Sequence, residues 1–171
     1  MTKGLDRLWA GWRGEYIEGV TPSGDVDESG SVFSRILASG LPDDETYIVW
    51  RGEQCFAILN RYPYSSGHVL VMPYREVAEL EGLDAGESAE LWTAVTACAA
   101  AVKAAYQPQG LNIGLNLGEA AGAGVPTHLH VHVLPRWSAD SNFMTAVAET
   151  RVLPEALPVT WEKLRAAWPP R

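Results

Sequence analysis

The order of apolar segments along the chain predicts an α+β fold, with a mostly antiparallel sheet and one long helix. Residues 84–106 carry apolar side chains at helical spacing. Residues 47–73 hold three short strand-like segments, and residues 128–134 alternate histidine with apolar residues at the period of a strand. Because runs of strands flank a single long helix, a mostly antiparallel sheet is the expected arrangement.

Composition and charge indicate one globular domain over residues 1–171, since no repeat or low-complexity tract marks a boundary. No apolar run approaches the ~18 residues of a membrane span, and the N-terminus lacks the apolar block of a signal peptide. The net charge of −8 argues against a nucleic-acid partner. Cys55 and Cys98 indicate buried thiols rather than a disulfide framework, so a cytoplasmic location is expected.

The first 30 residues predict an arm followed by a loop. Residues 5–17 place aromatic and aliphatic side chains at spacings of three and four, as in a short amphipathic helix, although Gly11 and Gly14 weaken it. Because exposed tryptophans are unfavourable, Trp9 and Trp12 are expected to pack on the domain or on a second subunit.

The next expected element along the chain is a short helix over residues 31–37. A polar turn that contains Gly52 joins the first two strands into a hairpin. Asp84 and Glu87 resemble a capping box at the start of the long helix, and Pro108 with Gly110 ends it. The expected strands are 47–50, 55–59, 68–73, 111–116, the triad segment and one near 143–147, and a last helix spans about 160–168.

Three of the four histidines, His128, His130 and His132, alternate with apolar residues, and the fourth is His68. On a strand, this alternation would direct three imidazoles to one face, about 6.5 Å apart, and the apolar residues between them into the core. Like charges so close disfavour protonation, so neutral nitrogens are expected at neutral pH. The row has three interpretations: a solvated strand face, a metal site, and phosphate chemistry in which the central histidine attacks phosphorus.

Residues 128–134 match the motif His-φ-His-φ-His-φ-φ, where φ is apolar, and on this motif the chain is identified as a member of the histidine triad superfamily of nucleotide hydrolases and transferases. The resemblance covers about residues 31–147 and leaves an N-terminal arm (1–30) and a C-terminal extension (148–171). It implies a histidine triad fold and a homodimer or larger assembly. The segments NRYPYSSGH and HVLPRW also resemble bacterial diadenosine tetraphosphate phosphorylases.

The resemblance implies a nucleotidyl transferase or hydrolase that cleaves adenine dinucleoside polyphosphates of the diadenosine tetraphosphate type. His130 would attack the α-phosphorus and form a nucleotidyl-histidine, while the His128 carbonyl accepts a hydrogen bond from the other ring nitrogen. His132 and His68 would stabilise charge on the phosphoryl oxygens. Adenosine phosphoramidase activity and a non-catalytic nucleotide-binding module stay open as alternatives, and so does the acceptor, water or inorganic phosphate.

Other residues of the expected nucleotide site flank the triad. The resemblance implies that Asn60 contacts the ribose, although asparagine is also a common turn residue. Asn116 and the small-residue loop after it, which contains Gly118, Gly122 and Gly124, precede the triad. Such a loop lets backbone N–H groups approach an anion closely, and its other interpretation is a flexible turn.

Three more side chains near these segments each have two interpretations. Phe56 and Ile58 could line a slot for the base or belong to the ordinary core. Arg136 follows the triad and could add charge near phosphate or lie in solvent as a surface arginine.

The resemblance also includes a difference at a metal position. Many relatives carry Cys-x-x-Cys where this chain has Ser31 and Ser34, and they often have histidine where Glu76 stands. In those relatives the cysteines help to hold a structural zinc, and serine hydroxyls are far poorer zinc ligands than thiolates. We therefore expect neither a structural zinc nor another cofactor.

Overall fold

The computed structural model describes residues 30–138, 140 and 155–170. The arm predicted over residues 5–17 and the strand predicted near residues 143–147 lie outside these ranges. The other expected elements are present, together with a short helix α2 that was not expected. The helices are α1 (Val32–Ala38), α2 (Asp43–Thr46), α3 (Ala85–Tyr106) and α4 (Leu157–Ala167), and the strands are β1 (Ile48–Arg51), β2 (Cys55–Leu59), β3 (Val69–Pro73), β4 (Gly110–Leu115) and β5 (Val131–Arg136).

The five strands form one sheet in the order β1-β2-β3-β5-β4, and every neighbouring pair is antiparallel. β1 and β2 form the predicted hairpin, and β5 lies between β3 and β4. The predicted α+β fold, with an antiparallel sheet and one long helix, is therefore confirmed.

Different helices cover the two faces of the sheet. On one face, α3 and Leu164 of α4 pack against side chains of β2, β3 and β5, such as Val69. On the other face, Phe33 of α1 packs with Ile58 and Leu70. Because β2 and β3 are buried on both faces, all five residues of each are buried, and their sequences are continuous apolar runs.

The long helix α3 starts and ends close to its predicted positions. The Asp84 carboxylate accepts from the Glu87 N–H, and the Glu87 carboxylate accepts from the Asp84 N–H, which is the predicted capping box. The helix ends at Tyr106, and Gln107 adopts a left-handed conformation with a φ of 46°. Among the residues that the structure describes, neither α3 nor any other helix is long and apolar enough to cross a membrane.

The C-terminal helix α4 begins at Leu157, about one turn before its predicted start. Pro158 lies in the first turn, where a missing N–H leaves no helical hydrogen bond unmade. The Trp161 indole N–H donates to the Ile48 carbonyl at 2.9 Å, and Leu164 is fully buried. This part of the C-terminal extension therefore belongs to the core.

Candidate active site

The alternation predicted that the triad histidines form one row on a strand, and the structure differs. β5 begins at Val131, so His132 lies in the strand while His128 and His130 precede it. The reason is that the pairing of β5 with both neighbouring strands stops at Val131, and the preceding Leu129 N–H donates instead to the carbonyl of Val77. The prediction that the intervening apolar side chains enter the core is confirmed, since all three are buried.

His130 has a ring whose proton position is set by its neighbour in sequence. Its Nδ1 lies 2.8 Å from the His128 carbonyl oxygen, which is the hydrogen bond that the sequence predicted. A carbonyl only accepts, so Nδ1 carries the proton and Nε2 has the lone pair. Burial lowers the pKa of His130 below its ordinary value, more than the hydrogen bond to the His128 carbonyl raises it. The Nε2 atom is therefore unprotonated near neutral pH, as a nucleophile must be.

His128 is held inside the protein by both ring nitrogens. Its Nε2 donates to the Pro73 carbonyl at 2.9 Å, and its Nδ1 lies 2.7 Å from the Ser31 hydroxyl. The ring is fully buried, and burial lowers its pKa. The Phe33 ring lies 5.5 Å from the ring of His128 and 5.4 Å from that of His130. The side chain of His128 thus packs and bonds inside the protein, and it is the His128 carbonyl that contacts His130.

His68 and His132 form a chain of hydrogen bonds that sets both tautomers. The Tyr64 N–H lies 3.1 Å from His68 Nδ1, and the Asn60 amide nitrogen lies 3.3 Å from the same atom. Two donors at Nδ1 make it an acceptor, so the proton of the neutral His68 ring lies on Nε2. That Nε2 donates to His132 Nδ1 at 2.9 Å, which leaves the His132 proton on Nε2.

His68 lies in the interior: its ring is 1% exposed, and its two nitrogens bond to the Tyr64 N–H and to His132. A direct contact of His68 with phosphate stays a prediction. The register pairs Leu70 with His132, so both side chains lie on the α1 face of the sheet. His68 directly precedes β3, and it reaches His132 because β3 and β5 are neighbours in the sheet.

Asn60 closes the loop that leads to His68. Its backbone N–H donates to the His68 carbonyl at 2.9 Å, and its side-chain oxygen accepts from the Tyr62 N–H at 3.0 Å. With the amide nitrogen directed at His68 Nδ1, the side chain has the turn role that the sequence left open. Contact with a ribose stays a prediction for Asn60.

A shallow cleft of about 200 Å³ borders His132. Tyr64, Asn112 and Asn116 contribute to its wall, so the structure brings Asn116 close to the triad as expected. The Tyr64 ring is nearly parallel to that of His132, with centroids 6.0 Å apart. Tyr64 was not predicted as a site residue, and the available signal was its position four residues before His68 in a tight loop.

The loop of residues 118–124 contains a turn, and nucleotide binding by its glycines stays a prediction. A 3-10 turn spans Glu119–Ala121, and Gly118 and Gly122 have φ values of 73° and 89°, which favour glycine. The N–H groups of Ala121, Gly122 and Ala123 bond within the loop, to the carbonyls of Gly118 and Glu119. These three groups are therefore already used, and the turn interpretation describes this part of the loop.

The remaining site candidates have ordinary structural roles. Phe56 and Ile58 are 0% and 3% exposed and belong to the core between the sheet and α1, so the core interpretation describes these two residues. Arg136 bonds to the Asp140 carboxylate at 2.6 Å and to the Asn112 side-chain oxygen at 2.7 Å. Its charge is therefore paired at the end of β5 rather than directed at the triad.

Ser31, Ser34 and Glu76 come together with His128, although they are far apart in the sequence. The Ser31 hydroxyl bonds directly to the His128 ring, and the Glu76 carboxylate accepts from the Ser31 N–H at 2.7 Å and from the Ser34 hydroxyl at 2.9 Å. These donors and acceptors satisfy one another, and two hydroxyls are weak zinc ligands, so the set does not fit a structural zinc. Among the described residues, no three His, Cys, Asp or Glu side chains cluster so as to hold a metal ion.

The fold and these contacts define a histidine triad protein: an antiparallel sheet with the buried, neutral imidazole of His130 just before β5 and the hydrogen-bonded pair His68 and His132 beside it. The HIT domain model matches residues 42–139, and the chain belongs to this family.

Individual relatives agree with this assignment. The chain is 41% identical over 167 residues to a protein from Mycobacterium tuberculosis named AP-4-A phosphorylase, covering 96% of this chain and 85% of that protein. It also resembles the crystal structure of a histidine triad nucleotide-binding protein from Sulfolobus tokodaii, with a TM-score of 0.66, 30% identity, and coverage of 80% and 91%. A zinc-bound histidine triad protein from Mycobacterium smegmatis matches with a TM-score of 0.66, 28% identity, and coverage of 81% and 93%.

Proposed function

We propose that this chain is a nucleotidyl transferase of the histidine triad family that cleaves dinucleoside polyphosphates such as diadenosine tetraphosphate. The observation that carries the proposal is the 2.8 Å hydrogen bond from His130 Nδ1 to the His128 carbonyl, because it leaves the lone pair on Nε2. The substrate class follows from the M. tuberculosis relative, whose similarity extends over 96% of the chain.

The first step is an attack of His130 Nε2 on the α-phosphorus of the bound nucleotide. A P–N bond forms to the ring, and the bond from the α-phosphorus to the bridging oxygen breaks, so that ATP leaves from diadenosine tetraphosphate. The attacking His130 ring becomes cationic, and its Nδ1–H stays hydrogen bonded to the His128 carbonyl, which stabilises that charge. In the second step the acceptor attacks the same phosphorus and returns the lone pair to Nε2.

His132 is the donor that the geometry offers to the phosphoryl oxygens. The hydrogen bonds from Tyr64 to His68 and from His68 to His132 place the His132 proton on Nε2. The His132 ring centroid lies 5.0 Å from that of His130, close enough for both rings to reach one phosphoryl group. Positioned donors of this kind contribute most where negative charge develops in the transition state.

Product analysis tests both the reaction and its acceptor. We propose inorganic phosphate as the acceptor on the similarity to the phosphorylase relative, so diadenosine tetraphosphate and phosphate should give ATP and ADP in equal amounts. AMP formed without phosphate would instead indicate hydrolysis. Absence of turnover with this substrate, together with nucleotide binding, would contradict the proposal and favour a binding module.

We also propose a homodimer or larger assembly. β4 is an edge strand of the sheet and exposes Ile113, which is 46% exposed, and Trp92 of α3 is exposed to the same extent. Apolar side chains on an edge strand and on the longest helix are typical of a surface that a second subunit covers. Light scattering at micromolar concentration should give at least twice the monomer mass, and a monomer mass would refute the assembly. A cytoplasmic location stays a prediction.

A further inference from the structure

The backbone at His128 orients His130, yet it lies outside the sheet. The ladders of β5 with β3 and with β4 both end at Val131. The carbonyl that binds His130 Nδ1 belongs to a residue three positions earlier. Its location therefore depends less on strand pairing than on the contacts that hold the segment before β5.

Beside the hydrogen bond from the Leu129 N–H to the Val77 carbonyl, two contacts of the His128 ring hold this segment. Its Nε2 donates to the Pro73 carbonyl, and because burial lowers its pKa the ring is neutral, so Nδ1 accepts. The Ser31 hydroxyl, 2.7 Å away, is then the donor to Nδ1. Two hydrogen bonds from opposite sides thus fix a ring that is 0% exposed, and with it the adjacent carbonyl.

Ser31 is itself held firmly. Its hydroxyl oxygen accepts from the Ser34 N–H at 3.1 Å as the N-cap of α1, and its backbone N–H donates to Glu76 at 2.7 Å. Burial alone would raise the pKa of Glu76, but hydrogen bonds from Ser31, Thr127 and Ser34 lower it below the ordinary value. The carboxylate therefore stays charged near neutral pH, and it joins the start of α1 to the residue before His128.

The same helix supports His130 by packing. Phe33, two residues after Ser31, lies with its ring against both His128 and His130. The start of α1 thus bonds to the residue that supplies the carbonyl and contacts the ring that the carbonyl orients. Among the described helices, only α1 brings an aromatic ring against these two histidines.

We propose that Ser31 is a positioning residue for the reaction at His130: its hydroxyl anchors the His128 ring, and through the His128 carbonyl it fixes the tautomer and direction of the His130 imidazole. The chemical consequence rests on the proposed nucleotidyl transfer at His130, whereas the effect on the ring itself does not. Both consequences are measurable separately.

The test compares three variants with the wild-type protein. Ser31→Gly removes the hydroxyl but keeps a residue type that is well accepted at an N-cap. Ser31→Thr restores a hydroxyl at the same position. Ser39→Gly is the matched control, because it removes a serine hydroxyl that bonds to Ile36 at the other end of α1.

Steady-state kinetics with diadenosine tetraphosphate and phosphate provide the first readout. Ser31→Gly should lower kcat about tenfold to a hundredfold with little change in KM, since a misplacement of about 1 Å costs a reaction this much. Ser31→Thr should recover most of the loss, and Ser39→Gly should match the wild type. A wild-type kcat in Ser31→Gly would overturn the proposal.

The ring nitrogens of His130 provide the second readout, in protein labelled with ¹⁵N-histidine and without substrate. The wild type should show one protonated nitrogen at Nδ1 and one unprotonated nitrogen at Nε2, with signals assigned by their loss in His130→Ala. In Ser31→Gly these signals should shift toward a mixture of tautomers. Unchanged His130 signals would overturn the proposal even if kcat falls. If the wild type has no turnover, the proposed function fails and this readout still decides the role of Ser31.

Discussion

Histidines lie on both sides of His130, and their surroundings differ: His128 is on one side, and His132 with His68 is on the other. On one side, His128 is buried between the Ser31 hydroxyl and the Pro73 carbonyl, and it presents only its backbone to the reaction. On the other side, the His132 side chain borders the cleft, and His68 orients the His132 ring through a hydrogen bond to its Nδ1. Three histidines in one motif therefore differ in role because their neighbours differ, and not because of their own chemistry.

We expect substitutions at His128 and at His132 to have different effects. A group buried between two partners contributes mainly to stability, since its loss leaves those partners unpaired. A donor beside a cleft contributes mainly to the transition state, where it meets charge that the ground state lacks. Substitutions at matched positions should separate these two effects.

The largest effect is expected at the centre. His130→Ala should abolish turnover of diadenosine tetraphosphate while binding of the nucleotide continues, because the attacking atom is lost but the surrounding donors stay. The measurement is turnover together with nucleotide affinity by calorimetry. Turnover close to that of the wild type would show that the triad is a binding site and would remove the distinction between its flanks.

The next effect separates His132 from His128. His132→Ala should lower kcat about 10²–10³-fold, the usual loss for one donor to a developing oxyanion, with a small change in stability. His128→Ala should lower the free energy of unfolding by about 3 kcal/mol, because it leaves a buried hydroxyl and carbonyl unpaired and opens a cavity. Denaturant unfolding and kinetics on both variants check this. Equal losses of stability in the two variants would contradict the expectation that His128 contributes mainly to stability and His132 mainly to kcat.

A smaller effect is expected at His68, which acts through His132. His68→Ala should lower kcat about tenfold, less than His132→Ala, because the donor is still present but is no longer oriented by the bond to Nδ1. In the double variant, His68→Ala should add little to His132→Ala, since both act on one donor. Fully additive losses would show instead that His68 contacts the substrate directly.

The smallest effect is a dependence of stability on pH. Burial depresses the pKa of His128 and of His130 from the ordinary value of 6.5. The unfolded chain therefore binds protons below about pH 6.5 that the folded protein does not, so stability falls as the pH is lowered through this range and is constant above it. Each ring contributes at most about 1.4 kcal/mol per pH unit. Urea unfolding at about pH 8, 7, 6 and 5.5 measures the slope, and a flat profile would contradict burial of neutral rings.

Sequence patterns predicted the fold well because its signals are local. The capping box at Asp84 and the apolar runs of β2 and β3 are visible within a few residues, and both are present. The alternation around His130 was misleading, since period alone does not reveal where strand pairing stops. That limit depends on Val71 of β3, which is distant in sequence.

The sequence indicated which histidines lie near one another, but it did not indicate their hydrogen-bond partners. The motif identified three histidines and the family resemblance added His68, yet the hydrogen bond from Ser31 to His128 joins residues 97 positions apart, and no local pattern indicates it. The partners of His68, among them Tyr64 and His132, become evident only once the loop and β5 are placed. Tertiary contacts, which sequence periods do not record, decided these roles.

The covalent intermediate on His130 tests the central claim most directly. The wild-type protein is mixed with diadenosine tetraphosphate without phosphate, quenched briefly in acid because P–N bonds are acid-labile, and digested for mass spectrometry. We expect one adenylyl group on the peptide that contains His130. This group should disappear when phosphate is added before the quench. Turnover that continues while the adduct is absent, or an adduct located on His68 or His132, would contradict the central claim.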